Sequence, residues 1–299
     1  MSVRFGVSPI AWINDDMPHL GGDTPLEKLL GDASEIGFSG VELGGKFPRD
    51  PAILSPLLRS YGLDLVGGWF SGELLTLSPD AQIEAMQEHL ALLEAMGCGV
   101  FVFAECSNTI HSTRGVPLST RPVLDDAGWA RFGRGITAVA DYVAARGLRF
   151  AYHHHIGTVV ETQADVDRFI AETGANAGLT VDTGHGYYGG LDVPALIRDH
   201  PGRVSHVHCK DVRADVMATT RQRDRSFLDG VLDGMFTVPG DGAIDFAPVF
   251  AALTDIGYAG WVIVEAEQDP ARADPRRYGQ IGLDHLRATA DAATLEVAR

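Results

Sequence analysis

A parallel (β/α)8 barrel of the α/β class is predicted for this 299-residue chain. Two observations carry the prediction. Eight short apolar runs alternate with longer amphipathic stretches, as repeated βα units require. The first run is followed by SPIAWINDD, which is not the glycine turn of a doubly wound nucleotide-binding sheet.

The eight predicted strands are VRFGVS near residue 3, GVELGG at 40, LDLVGGW at 63 and GVFVFAE at 99, then LRFAYHHH at 148, AGLTVDTGH at 177, RVSHVHCKD at 203 and WVIVEAE at 261. The intervening stretches show helix ends. Thr24-Pro25-Leu26-Glu27 reads as a capping box with proline at the first helical position. Leu26, Leu29, Leu30 and Ala33 then share one face at helical spacing. Ser78-Pro79 opens a further helix with Ile83, Met86, Leu90 and Leu93 on its buried stripe. Gly97 falls where a left-handed cap belongs. No repeat, low-complexity tract or linker interrupts the pattern, so residues 1–299 are expected to form a single domain. From Asp211 to about Gly242 no helical pattern is evident. Loops beyond about 12–15 residues are uncommon and often serve as lids. This one follows the seventh strand and is expected to rise over the mouth of the barrel.

Composition excludes several classes of function. Forty acidic against 24 basic residues give a formal net charge of −16, with no basic run. Such a surface repels phosphate backbones, so no nucleic-acid partner is expected. Hydrophobic residues make up 45% and charged residues 21%, which is ordinary globular composition rather than disorder. Cys98, Cys106 and Cys209 form no C-x-x-C pair and suggest neither a zinc knuckle nor a disulfide framework. The N-terminus has no long apolar h-region, and no stretch approaches membrane-spanning length. A cytoplasmic protein with no membrane partner is expected.

The strand ends are unusually polar. Period-two alternation puts His153 with His155 on strand five, His206 with His208 and Lys210 on strand seven, and Glu265 with Glu267 on strand eight. Asp182 ends strand six, His185 follows it, and Glu105 ends strand four. Facing inward, these residues would gather imidazoles, carboxylates and a lysine at one mouth. Mixed His, Asp and Glu donors suit a divalent first-row metal of the manganese, cobalt or iron type better than a thiolate zinc site. A lone strand histidine is more often hydrogen-bonded core than ligand. Four independent strands ending in such residues are harder to attribute to chance, and clustered buried carboxylates repel one another without a cation.

The strand-five segment, VDTGH, HVHCKD and VEAEQDP resemble the xylose-isomerase-like TIM barrels, a superfamily of epimerases, isomerases, dehydratases and an endonuclease. A narrower resemblance, to the inosose dehydratases, rests on GVSPIAWINDDMP, VELGGKFP, GGWFS, AYHHHIGT, VDTGH, HVHCKDVR, SFLDGVLDGMFTVPGDGAIDF and WVIVEAEQDP, between about residues 5 and 280. The superfamily resemblance implies metal ligands at Asp182, His208 and Glu265. Where the superfamily has glutamate on strand five this chain has His153. The fourth ligand is therefore His153 itself, Glu105 or water, with His153 the first choice. The implied reaction is loss of water from a keto-inositol through an enolate, with manganese or cobalt as the expected cofactor. His155 is assigned proton transfer, Lys210 polarisation of the ketone or leaving hydroxyl, and His185 orientation of substrate. For the hydroxyl groups of a polyol the candidates are Asn14, Glu42, Glu105, Asp211 and Glu267, with Trp69 offering a ring face. Arg213 is assigned to substrate or to loop closure.

Three rivals remain open. An isomerase or epimerase would share the enolate but return the proton to carbon. A phosphodiesterase would need clustered metals and a cationic groove, against the acidic composition. A non-catalytic polyol-binding protein would not need acid–base groups beside the ligands. Relatives of this barrel often associate, so self-association is open too.

Overall fold

The computed structural model describes residues 2–298. All eight predicted runs form barrel strands: β1 (Val3–Val7), β2 (Gly40–Leu43), β3 (Asp64–Gly72), β4 (Val100–Glu105), β5 (Arg149–His153), β6 (Ala177–Asp182), β7 (Val204–Cys209) and, last in the chain, β10 (Gly260–Val264). They close in the order β1-β10-β7-β6-β5-β4-β3-β2, every pair parallel. Burial on both faces explains the near-continuous apolar runs. Phe101, Phe103, Phe150 and Tyr152 pack outward into the main core with the helices. Val100, Val102 and Ala151 form a smaller cluster inside the barrel.

One irregularity aims the site. Leu179 pairs with Val204 but Thr180 with His206, so Ser205 is the extra residue of a bulge. The bulge brings Asp182 into register with His208. It needs Gly178, because a Cβ there would lie 2.0 Å from Ser205 Oγ.

The helix ends follow the predictions with two differences. Ser78 accepts from the Ala81 amide at 3.2 Å, and Gly97 adopts a left-handed φ of 73°. Met86, Leu90 and Leu93 are fully buried, although Met86 divides the stretch into Pro79–Ala85 and Gln87–Ala95. The capping box at Thr24 does not form. The helix Leu26–Ile36 is capped at Pro25 without a side-chain bond, while the Thr24 carbonyl accepts from Lys46 Nζ at 2.8 Å.

The segment after β7 is not an open loop. Two short strands, β8 (Asp211–Val212) and β9 (Phe236–Thr237), pair antiparallel and enclose the helices Ala214–Gln222 and Phe227–Asp233. The helices escaped the sequence reading because each is short and the first buries only Thr220. Phe227, Leu228, Val231, Met235 and Phe236 join Met17, Leu20, Leu118, Ile156 and Tyr188 in a second apolar cluster. Phe227 meets His155 edge-on and stacks on His185, which Phe236 also meets edge-on, so this cluster covers one side of the site. Among the described residues no helix is long and apolar enough to cross a membrane.

Candidate metal centre and active site

Four side chains from four neighbouring strands converge inside the barrel. His153 Nε2 lies 3.3 Å from His208 Nδ1 and 3.8 Å from Asp182 Oδ2, and His208 Nδ1 lies 3.7 Å from Asp182 Oδ2. Glu265 Oε2 abuts His208 Nδ1. Donors about 2.1 Å from a shared first-row ion stand roughly 3.0–3.4 Å apart, close to these spacings. Asp182 Oδ2 is buried and lacks any hydrogen-bond partner, the condition a cation would relieve.

The atoms facing away from this point are all engaged. Asp182 Oδ1 accepts from the His185 amide at 2.8 Å as it caps the helix Thr183–Gly189. Glu265 Oε1 lies 3.1 Å from Lys210 Nζ. His153 Nδ1 donates to the His154 carbonyl at 2.8 Å and His208 Nε2 to Glu42 Oε1 at 3.0 Å. Each outer bond fixes the tautomer that leaves the inner nitrogen free to ligate.

Electrostatics at the centre favour positive charge. Burial raises Asp182 to about 6, and it holds His153 well below its usual pKa, with His208 adding to the effect. Burial opposes protonation of His208 too, but Glu42 and Glu265 outweigh it and raise that pKa well above normal. A cation would replace that proton.

A second group stands behind the first. Lys210 is fully buried, with Nζ 2.5 Å from Glu267 Oε1, 2.9 Å from His185 Nε2 and 4.0 Å from Asp182 Oδ2. Burial would lower its pKa, but Glu265, Glu267 and Asp182 keep it raised and the ammonium charged. Glu267 is pushed up to about 7 by burial, then by Glu265 and Asp16 against the lowering effect of Lys210. Its Oε2 has no partner. The His155 ring packs tilted against that of His185 with centroids 3.8 Å apart, and its Nδ1 donates to the Ile156 carbonyl at 2.8 Å. Burial, reinforced by His111 and Lys210, keeps His155 neutral, with Nε2 as its free acceptor.

A cavity of about 190 Å³ opens onto the centre, lined by His153, His155, His208, Glu42, Glu265, Glu267 and Trp69 among others. The Trp69 ring sits 5.3 Å from that of His153. Seven of the residues predicted for the site do not line it, among them Asp182, which is fully buried with the other converging donors. Glu105 shares the outward face of β4 with Phe101 and Phe103 and spends its oxygens on the amides of Leu74 and Ser107, at 2.7 and 2.8 Å. Asn14 accepts from the Met17 amide at 2.8 Å within its own turn. Asp211 binds the amides of Val212, Gly240, Gly242 and Ile244. Arg213 ties the insertion together through Gly234, Thr237 and Asp241. His185 and Lys210 lie one layer behind the lining. Conversely, Asp15, Asp16, Arg49 and His111 line the cavity and were not anticipated. His111 Nδ1 is buried without a partner. These residues lie on loops without periodicity; the only signal was that Asp15 and Asp16 fall within the GVSPIAWINDDMP block.

A family model described as Xylose isomerase-like TIM barrel matches residues 30–289. The rhizopine catabolism protein MocC of Rhizobium meliloti is 46% identical, over 98% of this chain and 90% of its own length. The inosose dehydratase of Erwinia tasmaniensis is 41% identical over 95% and 97% of the two chains, and that of Geobacillus thermodenitrificans 41% over 96% and 97%. An L-ribulose 3-epimerase structure superposes with a TM-score of 0.68 at 18% identity, covering 98% of this chain and 96% of the epimerase, which shows the shared fold. The chain belongs to the xylose isomerase-like TIM barrel family and, within it, to the enzymes of the inosose dehydratase group.

Proposed function

We propose that this chain is a divalent-cation-dependent hydro-lyase that removes water from 2-keto-myo-inositol (scyllo-inosose), yielding a trihydroxycyclohexane-dione after tautomerisation. One observation carries the reading: four buried donors converge beneath a cavity lined by imidazole and carboxyl groups in a chain 41% identical to inosose dehydratases. His153, Asp182, His208 and Glu265 would hold the cation, with manganese or cobalt as the ion expected of two imidazoles and two carboxylates. Bound there, the cation would supply Lewis-acid stabilisation of charge at the substrate ketone.

The chain's own residues supply the proton transfers. His155, neutral and open at Nε2, takes the proton from the carbon beside the ketone, leaving an enolate. Glu267 gives a proton from its unpartnered Oε2 to the hydroxyl leaving the adjacent carbon, so that water departs. Lys210 does not reach the cavity and acts by positioning Glu267 and Glu265. Trp69 forms the wall against the polyol, with His111 and Asp16 as partners for its hydroxyls. The three cysteines are free and Cys98 and Cys209 are buried, in keeping with a cytoplasmic setting.

The test is to strip the protein of cation, reload it with manganese or cobalt, and follow 2-keto-myo-inositol by mass. Cation-dependent loss of one water is expected. Rearrangement at unchanged mass would make the enzyme an isomerase, and no reaction with either ion would reject the substrate.

A further inference from the structure

Glu42 reaches the centre from across the barrel. It lies on β2, whereas its partners lie on β7. A single oxygen, Oε1, sits 3.0 Å from His206 Nε2 and 3.0 Å from His208 Nε2. All three side chains are buried.

This trio permits three chemical readings. Glu42 lines the cavity, so it could serve mainly as a ligand for a substrate hydroxyl. The three groups could hold a second cation. Alternatively, Glu42 could act on His208 from behind. The hydrogen-bond pattern favours the last. His208 has two ring nitrogens, and with Nδ1 facing Asp182 and Glu265 its proton belongs on Nε2, where Glu42 accepts it. A protonated nitrogen is not a ligand, which argues against a second ion. The oxygen concerned already accepts from two imidazoles, so it is committed within the protein rather than held for a substrate.

We propose that Glu42, itself held by His206, is a positioning residue for the cation centre. It fixes the tautomer and rotation of His208 and makes Nδ1 a stronger donor. A carboxylate behind a ligating imidazole does both, and removing such a partner costs about 10–100-fold in metal affinity. His206 supplies the second N–H that holds Glu42 Oε1 against His208. The inference rests on the four-residue cluster being a cation site and not on the identity of the substrate.

The test is a calorimetric titration of the cation-stripped full chain with manganese, repeated with cobalt while recording the visible cobalt absorption. The unmodified protein is expected to take one cation. Glu42→Ala should bind about 10–100-fold more weakly with an altered cobalt spectrum, and KM at saturating cation should move much less. Glu42→Gln keeps an acceptor without the charge and should fall between; it carries the test if the alanine variant does not fold. His206→Gln should weaken binding in the same direction. Binding within twofold of the unmodified protein with an unchanged spectrum and a raised KM would make Glu42 a substrate ligand and overturn the proposal. Two cations per chain, one lost in Glu42→Ala, would make the trio a second site and overturn it as well. If the unmodified protein takes no cation, the cation dependence proposed for the enzyme fails together with this inference. If it takes one and the variants match it, the inference alone fails.

Discussion

Asp211 offers the sharpest test of whether the residues after β7 build the site or touch the substrate. Its Oδ1 accepts from the amides of Val212 at 2.8 Å and Ile244 at 2.9 Å. Its Oδ2 accepts from Gly240 at 3.1 Å and Gly242 at 3.0 Å. Asp211→Asn preserves shape but turns one oxygen into an NH2 group, which cannot accept. Two amides then lose their partner whichever way the side chain is placed. Hydrogen bonds to a charged group contribute about 1.5–3 kcal/mol each, so the loss is roughly 3–6 kcal/mol before relaxation. Gly240 and Gly242 are exposed, and water can take over part of their bonding, so the lower end is expected, about 3 kcal/mol. Urea unfolding measures the loss, and limited proteolysis should show new cleavage near Gly240–Gly242. Gly242→Ala should resemble it, because the added Cβ would lie 2.3 Å from Asp211 Oδ1. Stability within about 0.5 kcal/mol of the parent, the ordinary scatter of neutral surface changes, combined with a large rise in KM, would refute the argument and return Asp211 to the substrate.

Three further outcomes follow from the geometry. Lys210→Met leaves Glu265 and Glu267 without their buried partner and should lower kcat by up to about 10²–10⁴-fold, the share of the proton transfer assigned to the Glu267 it positions; full turnover in steady-state assays would remove Lys210 from that positioning role. His111→Phe withdraws a ring nitrogen that has no partner in the protein, and one lost hydrogen bond to a polyol hydroxyl should raise KM about tenfold with cation affinity unchanged; an unaltered KM would place His111 outside substrate recognition. His89 is held neutral to about 4, chiefly by burial, despite a bond to the Gly68 carbonyl. In the unfolded chain it protonates first, so its stabilising contribution is present above its ordinary pKa of 6.5 and is lost as pH falls toward 4. Denaturant midpoints measured across that window should fall with acid less steeply in His89→Gln, by the share of one proton; an identical slope would contradict the assignment.

The extent to which the site was legible in the sequence can be followed strand by strand. Alternation along β5, β7 and β10 paired His153 with His155, His206 with His208 and Lys210, and Glu265 with Glu267, and those pairs share faces in the barrel. Glu105 shows the limit of the same reasoning. Alternation groups it with Phe101 and Phe103, but a parallel barrel strand is apolar on both faces, so the pattern does not tell which set points inward. Packing decided that the phenylalanines meet the helices, and Glu105 went outward with them. The loops offered still less. Asn14, Asp211 and Arg213 looked like substrate ligands because they are polar and near strand ends, yet each meets backbone groups that irregular segments leave unpaired. Asp16 and His111 reach the cavity from stretches with no periodicity at all. Local side-chain pattern determined that this chain would be a barrel with acid, imidazole and amine groups at its strand ends. Only the closed tertiary structure, through barrel closure, the bulge at Ser205 and the roof built after β7, decided which of those groups meet, because contacts between distant segments depend on packing rather than on neighbours in sequence.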